Sequence, residues 1–191
     1  MTFEPPERLN IADHFLDARV REGLGARAAL LTDAGTVTYA ALQALANRFG
    51  HALRSAGAEP EHRVLIALPD GPEFAAALFG TLKLGGVVVM VNPALAAPEI
   101  AELLDYSRAS LVVTHRDTGE AFASAARGSR FVRAVCVVGE AGFDRAVATA
   151  PATLETFPSH RDDPALWLFS GGTTGRPKAV VQTHRAFANT T

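Results

Sequence analysis

Residues 64–74 read VLIALPDGPEF, and this stretch decides the fold class. An unbroken apolar run is followed by a Pro-Asp-Gly turn and then by a helix that begins with proline. Strands that carry no polar residue are buried on both faces, which is typical of a parallel sheet lying between two layers of helices. The fold class predicted from this stretch is therefore α/β.

The same order of elements returns farther along the chain. Apolar strands are predicted at 87–91, 111–113 and 134–138. A helix with Pro98 in its first turn separates the first two strands, and a short helix at 120–126 separates the second pair. These repeated units predict a mostly parallel sheet flanked by helices.

The residues on the amino-terminal side predict a helix, a hairpin and a longer helix. Asn10 is expected to cap the first helix, which ends near Gly23. Two short strands within 28–38 form the hairpin, and Thr38 then caps a helix that ends at Gly57. Near the other end of the chain, the residues 159–164 are predicted to form a surface loop.

A polar loop lies between two apolar runs near the carboxyl terminus. Residues 170–178 read SGGTTGRPK, and the runs 166–169 and 179–181 on either side have the character of strands. Glycines let the backbone approach a ligand closely, hydroxyl groups add hydrogen-bond donors, and a lysine adds a mobile positive charge. The loop is therefore predicted to connect two strands and to bind phosphate. The predicted phosphate-binding residues are Ser170, Gly171, Gly172, Thr173, Thr174, Gly175 and Lys178.

The loop does not fit the two better-known phosphate-binding motifs. A Walker loop needs Gly-Lys-Ser/Thr at its end, whereas this chain has Pro177-Lys178-Ala179. The dinucleotide fingerprint needs glycines at its first, third and sixth positions, and the glycines of residues 170–178 do not have that spacing. A hairpin turn rich in glycine and threonine, with a surface lysine, is the remaining alternative.

Composition and charge favour an ordinary globular domain. The 191 residues are 48% hydrophobic and 20% charged, and the formal net charge is −2, which gives no reason to expect nucleic acid or an anionic membrane as a partner. The single cysteine, Cys136, lies in an apolar run and is predicted to be a buried small hydrophobe. Because the sequence has no signal peptide and no run long enough to span a bilayer, a cytoplasmic location is expected.

Two further kinds of site are not expected. The histidines are scattered without metal-ligand spacing, so no metal site is predicted within the chain. No serine lies in a Gly-x-Ser-x-Gly elbow, and no catalytic residue is assigned.

The loop SGGTTGRPK resembles the signature loop of the adenylate-forming superfamily, which includes acyl-CoA synthetases, luciferases and adenylation domains of peptide synthetases. The chain departs from the family pattern at Ala179, where glycine is usual, and has Gly171 where serine is frequent. Farther from the loop, the first half of the chain is similar to benzoate- and hydroxybenzoate-CoA ligases. The segments that carry this similarity are 10–17 with 22–23, 38–39, 47–50, 63–70, 73–74 and 91–93.

The resemblance implies an activity, substrates and cofactors. In that family, ATP with Mg²⁺ and a carboxylic acid give an acyl-adenylate, and coenzyme A then attacks to give a thioester. The resemblance implies that the residues Ser170 to Lys178 hold the β- and γ-phosphates of ATP. The acid is an aryl or acyl carboxylic acid; the similarity to benzoate-CoA ligases favours an aromatic one, and no residue of this sequence identifies it. Such enzymes are more than twice as long, so residues 1–191 are expected to be the amino-terminal α/β part of an AMP-binding domain, with the remainder absent.

Three interpretations of function follow from these observations. The first is the ATP-phosphate-binding part of an aryl- or acyl-CoA ligase, inactive alone, as a fragment or as one piece of a split enzyme. The second is a non-catalytic relic or interaction module that keeps the fold, and the third is an unrelated α/β phosphate binder. Under the first two, the chain is expected to self-associate or to need the missing carboxyl-terminal portion, because apolar faces would be left uncovered.

Overall fold

The computed structural model describes residues 4–170 and 178–190. The strands are β1 (Ala28–Thr32), β2 (Gly35–Thr38), β3 (Arg63–Ala67), β4 (Val87–Met90), β5 (Leu111–His115), β6 (Ala134–Val138), β7 (Pro164–Ser170) and β8 (Lys178–Thr183). The α-helices are α1 (Tyr39–Ser55), α2 (Pro72–Lys83), α3 (Ala97–Ser107), α4 (Arg116–Gly128), α5 (Ala141–Thr149) and α6 (His184–Ala188).

The central sheet has the spatial order β6-β5-β3-β4-β7-β8. Its first five strands run parallel, and β8 pairs antiparallel with β7 at one edge. The middle of the sheet is fully enclosed, as Val64, Leu65 and Ile66 on β3 show with 0% exposure. The prediction of a mostly parallel α/β sheet is confirmed, because apolar strands of this kind need cover on both faces.

Helices cover both faces of the sheet. On one face, Phe49 of α1 and Leu82 of α2 join a core that contains Val64 of β3, with Phe143 of α5 packed against it. On the other face, α3 and α4 pack on a core that contains Leu65, the neighbour of Val64. Successive residues of a strand point to opposite faces, so both sides of β3 are used for packing.

Most of the predicted helix signals are present. The hydroxyl of Thr38 accepts a hydrogen bond from the backbone N–H of Ala41 at 3.2 Å, which caps α1. Pro72 begins α2 as predicted, since a proline at the first helical position leaves no hydrogen bond unmade. The hairpin of β1 and β2 is also confirmed, with Thr32 paired to Gly35 across its turn.

Two helices differ from their predictions. The helix expected after Asn10 forms two π-helical segments, Asp13–Asp17 and Val20–Leu24, with Gly23 at φ 81° inside the second. Leu16 and Asp17 are both buried, and Asp17 is held by contacts from distant elements that an apolar pattern does not reveal. The helix predicted at 120–126 starts earlier, as α4, because the ring of His115 accepts a hydrogen bond from its first turn.

The prediction of a surface loop at 159–164 is wrong at its first residue. Ser159 is 2% exposed, and its carbonyl accepts a hydrogen bond from the backbone N–H of Leu9 at 3.0 Å. The amide of Asn10 donates to the Ser159 hydroxyl at 3.1 Å. Ser159 is buried because it joins the amino-terminal residues to the sheet, through contacts with residues about 150 positions earlier in the sequence.

Candidate nucleotide-binding edge of the sheet

The predicted phosphate loop follows the carboxyl end of β7. In the β7–β8 hairpin, Ser170 pairs with Lys178, so the two ends of the loop lie opposite each other. This confirms that the loop connects two strands. Of the predicted site residues, the structure describes the backbone of Ser170 and the whole of Lys178. The other five, Gly171, Gly172, Thr173, Thr174 and Gly175, lie outside the described residues.

Aromatic packing holds the strand that leads into the loop. The ring of Tyr106 on α3 lies 6.1 Å from the rings of both Trp167 and Phe169, measured between centroids. The Arg63 guanidinium also lies over the Trp167 ring, 5.7 Å from its centroid. Such contacts each contribute about 0.5–1.5 kcal/mol. They fix β7 relative to α3 and so determine where the loop begins.

A cleft of about 480 Å³ opens beside the start of the loop. It lies over the carboxyl ends of β3 and β4, where α2 and α3 leave the sheet on opposite faces. Open α/β sheets bind ligands at such points, because the diverging helices leave the strand ends accessible. The walls include Leu68, Phe74, Met90, Asn92, Pro93 and Phe169. The cleft is mainly apolar, and the loop adjoins it at Phe169.

Asn92 shapes the turn at the rim of this cleft. Its side-chain oxygen accepts a hydrogen bond from the backbone N–H of Ala94 at 2.9 Å, which stabilises the turn after β4. The sequence pattern predicted a strand at 87–91, and the family resemblance drew attention to 91–93, but neither placed these residues beside the loop. Their position depends on the strand order, in which β4 and β7 are neighbours, and the sequence pattern does not give that order.

Two buried groups near the sheet have altered proton affinities. Burial raises the pKa of the Cys136 thiol to about 11, and the residue is 5% exposed. The prediction of a buried small hydrophobe is therefore confirmed. Burial also lowers the pKa of His184 to about 4, with a smaller opposing effect from Asp163. The Nδ1 atom of neutral His184 accepts a hydrogen bond from the backbone N–H of Ile11 at 3.2 Å.

Across residues 4–170 and 178–190, no three histidine, cysteine or acidic side chains come together as ligands for a metal ion. None of the helices in these two ranges has the length and apolar character needed to cross a membrane.

Comparison with known proteins identifies relatives of this chain. The family model described as AMP-binding enzyme matches residues 16–191. A 3-hydroxybenzoate–CoA/4-hydroxybenzoate–CoA ligase of Thauera aromatica is 34% identical over 96% of this chain, and a benzoate–CoA ligase of the same organism is 33% identical over 97%. Each alignment covers 36% of the relative, so the chain spans about a third of the length of these proteins.

A solved structure shows the same fold. The anthranilate CoA ligase AuaEII, determined in complex with anthranoyl-AMP, superposes with a TM-score of 0.87 at 28% identity. The alignment covers 95% of this chain and 36% of that ligase. The resemblance to adenylate-forming ligases, drawn from the loop and the first half of the sequence, is thereby confirmed. From its sheet, its hairpin loop and these matches, the chain belongs to the AMP-binding enzyme family.

Proposed function

We propose that residues 1–191 form the amino-terminal, phosphate-binding part of an ATP-dependent ligase that joins a carboxylic acid to coenzyme A. The observation that carries the proposal is the glycine- and hydroxyl-rich loop, which begins at the carboxyl edge of the sheet beside an apolar cleft. Membership of the AMP-binding family supports ATP as the nucleotide. The cytoplasm, where ATP and coenzyme A are available, is the proposed location.

The loop has the donor set that a polyphosphate requires. Ser170, Thr173 and Thr174 supply hydroxyl donors, the glycines supply backbone N–H groups, and Lys178 supplies a positive charge. These groups would hold the β- and γ-phosphates and offset the charge on the departing pyrophosphate. Mg²⁺ bound to the phosphates would neutralise charge on the same oxygens.

The proposed acid is aromatic. The Thauera aromatica relatives are named for benzoate and hydroxybenzoates, and the ligase of known structure is named for anthranilate. All four acids carry a carboxylate on a benzene ring. In the proposal, the acid becomes an acyl-adenylate with release of pyrophosphate, and the thiol of coenzyme A then displaces AMP to form the thioester.

A protein of these 191 residues is expected to make neither aroyl-adenylate nor aroyl-CoA. Its relatives are nearly three times as long, and the rest of their chains must supply other parts of the site. Pyrophosphate release should therefore equal that of a control without protein when benzoate, ATP and Mg²⁺ are present. Release above that control would show that the chain carries a complete site, contrary to the proposal.

MgATP binding tests the proposed role of the loop directly. Trp167 is the single tryptophan of the chain and lies three residues before Ser170, so its fluorescence should change as MgATP is added. The variant Lys178→Met removes the charge and should weaken binding roughly ten- to hundredfold. Arg133→Met removes an exposed charge at the opposite edge of the sheet, before β6, and serves as the matched control. Equal affinities for the two variants would exclude Lys178 from the site.

Kinetic constants of a full-length chimeric enzyme would distinguish a role of Lys178 in ATP binding from a role in catalysis. In a chimeric enzyme, residues 1–191 would replace the matching third of the Thauera aromatica hydroxybenzoate ligase. The rate of adenylation would be measured by ATP–pyrophosphate exchange. If Lys178 acts mainly as pyrophosphate departs, Lys178→Met should lower kcat together with kcat/KM. If it only binds ATP, KM alone should rise. Unchanged constants in the folded variant would indicate a solvated lysine after a turn.

A further inference from the structure

A second, larger cleft lies on the same edge of the sheet. Its volume is about 700 Å³, and it lies between α1, α5 and the carboxyl ends of β3, β5 and β6. The turn after β3 separates it from the cleft beside the loop, and its described lining contains no residue of β7 or β8. The connection after β5 runs to α4 on one face, whereas α2 and α5 lie on the other face. The strand ends are therefore accessible at this point too.

The floor of the second cleft is apolar. It is formed by Leu45, Phe49, Leu68, Val138 and Val147. Phe49 is held edge-on by Phe143 at 5.5 Å between ring centroids, so the floor is rigid as well as apolar. A volume between about 300 and 1,000 Å³ with apolar walls and a few polar groups is typical of small-molecule sites. The floor thus suits an aromatic ring or a short aliphatic chain.

The acidic groups around the second cleft already have favourable surroundings. Asp144 lies in the first turn of α5 and accepts a hydrogen bond from the backbone N–H of Gly139 at 3.0 Å. Glu73 lies in the first turn of α2, and Asp70 precedes the same helix. The amino-terminal end of a helix carries partial positive charge, which stabilises negative side chains there. These carboxylates therefore do not require a cationic ligand.

The charge of Arg116, in contrast to those carboxylates, is not stabilised by its position on a helix. Arg116 is the first residue of α4, where the partial positive charge of the helix end disfavours a cation. Within residues 4–170 and 178–190 its side chain makes no hydrogen bond and no ion pair, whereas the side chain of Arg48 in the same cleft donates to the Ala148 carbonyl at 2.6 Å. Its Nε atom lies 2.8 Å from the place a Gly139 Cβ would occupy, so the guanidinium rests against the strand end. An anion from solution would complete this arrangement.

We propose that the second cleft binds a small organic carboxylate, with its carboxylate on the Arg116 guanidinium and its aromatic or short aliphatic body on the apolar floor. Guanidinium matches a carboxylate through two parallel N–H···O hydrogen bonds. The site is separate from the phosphate loop and goes beyond the proposed ligase function. Its occupant binds without being consumed.

Three small molecules that each carry a phenyl ring but differ in charge test whether the second cleft prefers an anion. Phenylacetate, 2-phenylethanol and phenethylamine would be titrated into the ¹⁵N-labelled chain, and amide shifts followed by NMR. Phenylacetate should shift the amides of Gly139 and its neighbours and bind roughly tenfold or more tightly than the alcohol or the amine. Saturating MgATP should leave that affinity unchanged. Tighter binding of the amine, or displacement of phenylacetate by MgATP, would overturn the proposal.

Variants locate the site. Arg116→Gln should weaken phenylacetate binding at least tenfold, whereas Arg127→Gln, on the same helix and paired with Glu120 outside the cleft, should not. Ala148→Phe places a ring in the cleft from an exposed position of α5 and should also abolish binding. Retention of wild-type affinity by both Arg116→Gln and Ala148→Phe would show that the carboxylate binds elsewhere, and absence of any phenylacetate binding to the wild-type chain would likewise refute the site.

Discussion

Lys83 is a buried ammonium in the last turn of α2. Its side chain is 1% exposed, and its Nζ atom lies 2.8 Å from both carboxylate oxygens of Asp17. Gln43 and Thr156 donate further hydrogen bonds to the same carboxylate at 2.8 and 2.7 Å. Four separate segments of the chain therefore meet at Asp17. A buried ion pair of this kind adds little net stability, but loss of one partner is costly.

Removal of the Lys83 charge should destabilise the fold strongly. Lys83→Met keeps the aliphatic stem but leaves the Asp17 carboxylate buried without its cation, so the free energy of unfolding should fall by about 3–5 kcal/mol. Urea unfolding followed by circular dichroism measures the loss. The double variant Asp17→Leu with Lys83→Met should recover much of the stability, because no buried charge remains. A single variant as stable as wild type would show that the pair is dispensable.

The lowered pKa of His184 predicts that the free energy of unfolding decreases in acid. The pKa is about 4 in the folded chain and about 6.5 when unfolded, so the unfolded state binds more protons between these values. Stability should be fully present above pH 6.5 and decline as pH falls toward 4, by about 3 kcal/mol in total. His184→Asn places an uncharged acceptor near the position of Nδ1 for the Ile11 N–H and should remove this part of the decline. Parallel pH profiles for the two proteins, measured by urea unfolding, would contradict the assignment.

At the scale of elements, α1 and α2 pack closely because each contributes a glycine to the contact. A Cβ at Gly80 would lie 2.9 Å from the Ala46 carbonyl oxygen and 2.9 Å from the Gly50 nitrogen. Both are backbone atoms, so the helices themselves would have to separate. Gly80→Ala should therefore destabilise the chain by about 1–3 kcal/mol despite its higher helix propensity.

Gly128→Ala is the matched control for that prediction. Gly128 is also helical, at the end of α4, and in the described part of the chain no atom beyond its chain neighbours and its own helix backbone lies within 4 Å of the position that its Cβ would take. Thermal unfolding of both variants compares them directly. Gly80→Ala should lower the midpoint, and Gly128→Ala should leave it unchanged or raise it slightly. Equal midpoints would show that α1 and α2 adjust without cost.

The elements that the sequence predicted well are those whose signals are local. Apolar runs predicted the positions of β3 and β6, and Thr38 predicted the start of α1. These signals are reliable because a strand's apolar pattern and a helix cap are formed by residues that are close in sequence. The π-helical turns and the burial of Ser159 were missed, since they depend on partners such as Lys83 and Leu9 that are far away in sequence. Strand order belongs to the same class of long-range information.

The candidate site was predictable in part for the same reason. The composition of residues 170–178 indicated phosphate binding, and their position between two strands was confirmed. That Phe169, which leads into the loop, lines the same cleft as Asn92, and that Arg116 lines a second cleft beyond β3, depends on which strands are neighbours. Periodicity gives each strand its faces but not its partners. The roles assigned to the loop residues stay predictions.

At the scale of the whole molecule, the edge of the sheet at β8 is exposed. Val180 and Val181 are 47% and 46% exposed, and Tyr106 on the adjoining face is 51% exposed. Within the described residues, β8 is the edge strand of the sheet and pairs with β7. An edge strand that carries exposed valines favours association with another edge. A chain of these 191 residues is therefore expected to self-associate.

Light scattering after gel filtration measures this association. The wild-type chain should elute as a dimer or larger species whose mass rises with concentration, and Val181→Lys should shift it toward monomer because a charge on the edge strand opposes pairing. Leu31→Lys is the matched control, since Leu31 is 81% exposed on the β1–β2 hairpin, away from β8. The third protein to compare is the chain fused to the remaining two thirds of a Thauera aromatica ligase. That portion is expected to cover β8, so Val181→Lys should not change the mass of the fusion protein. A wild-type chain that stays monomeric at high concentration would show that the exposed edge is tolerated and that the fold is self-sufficient.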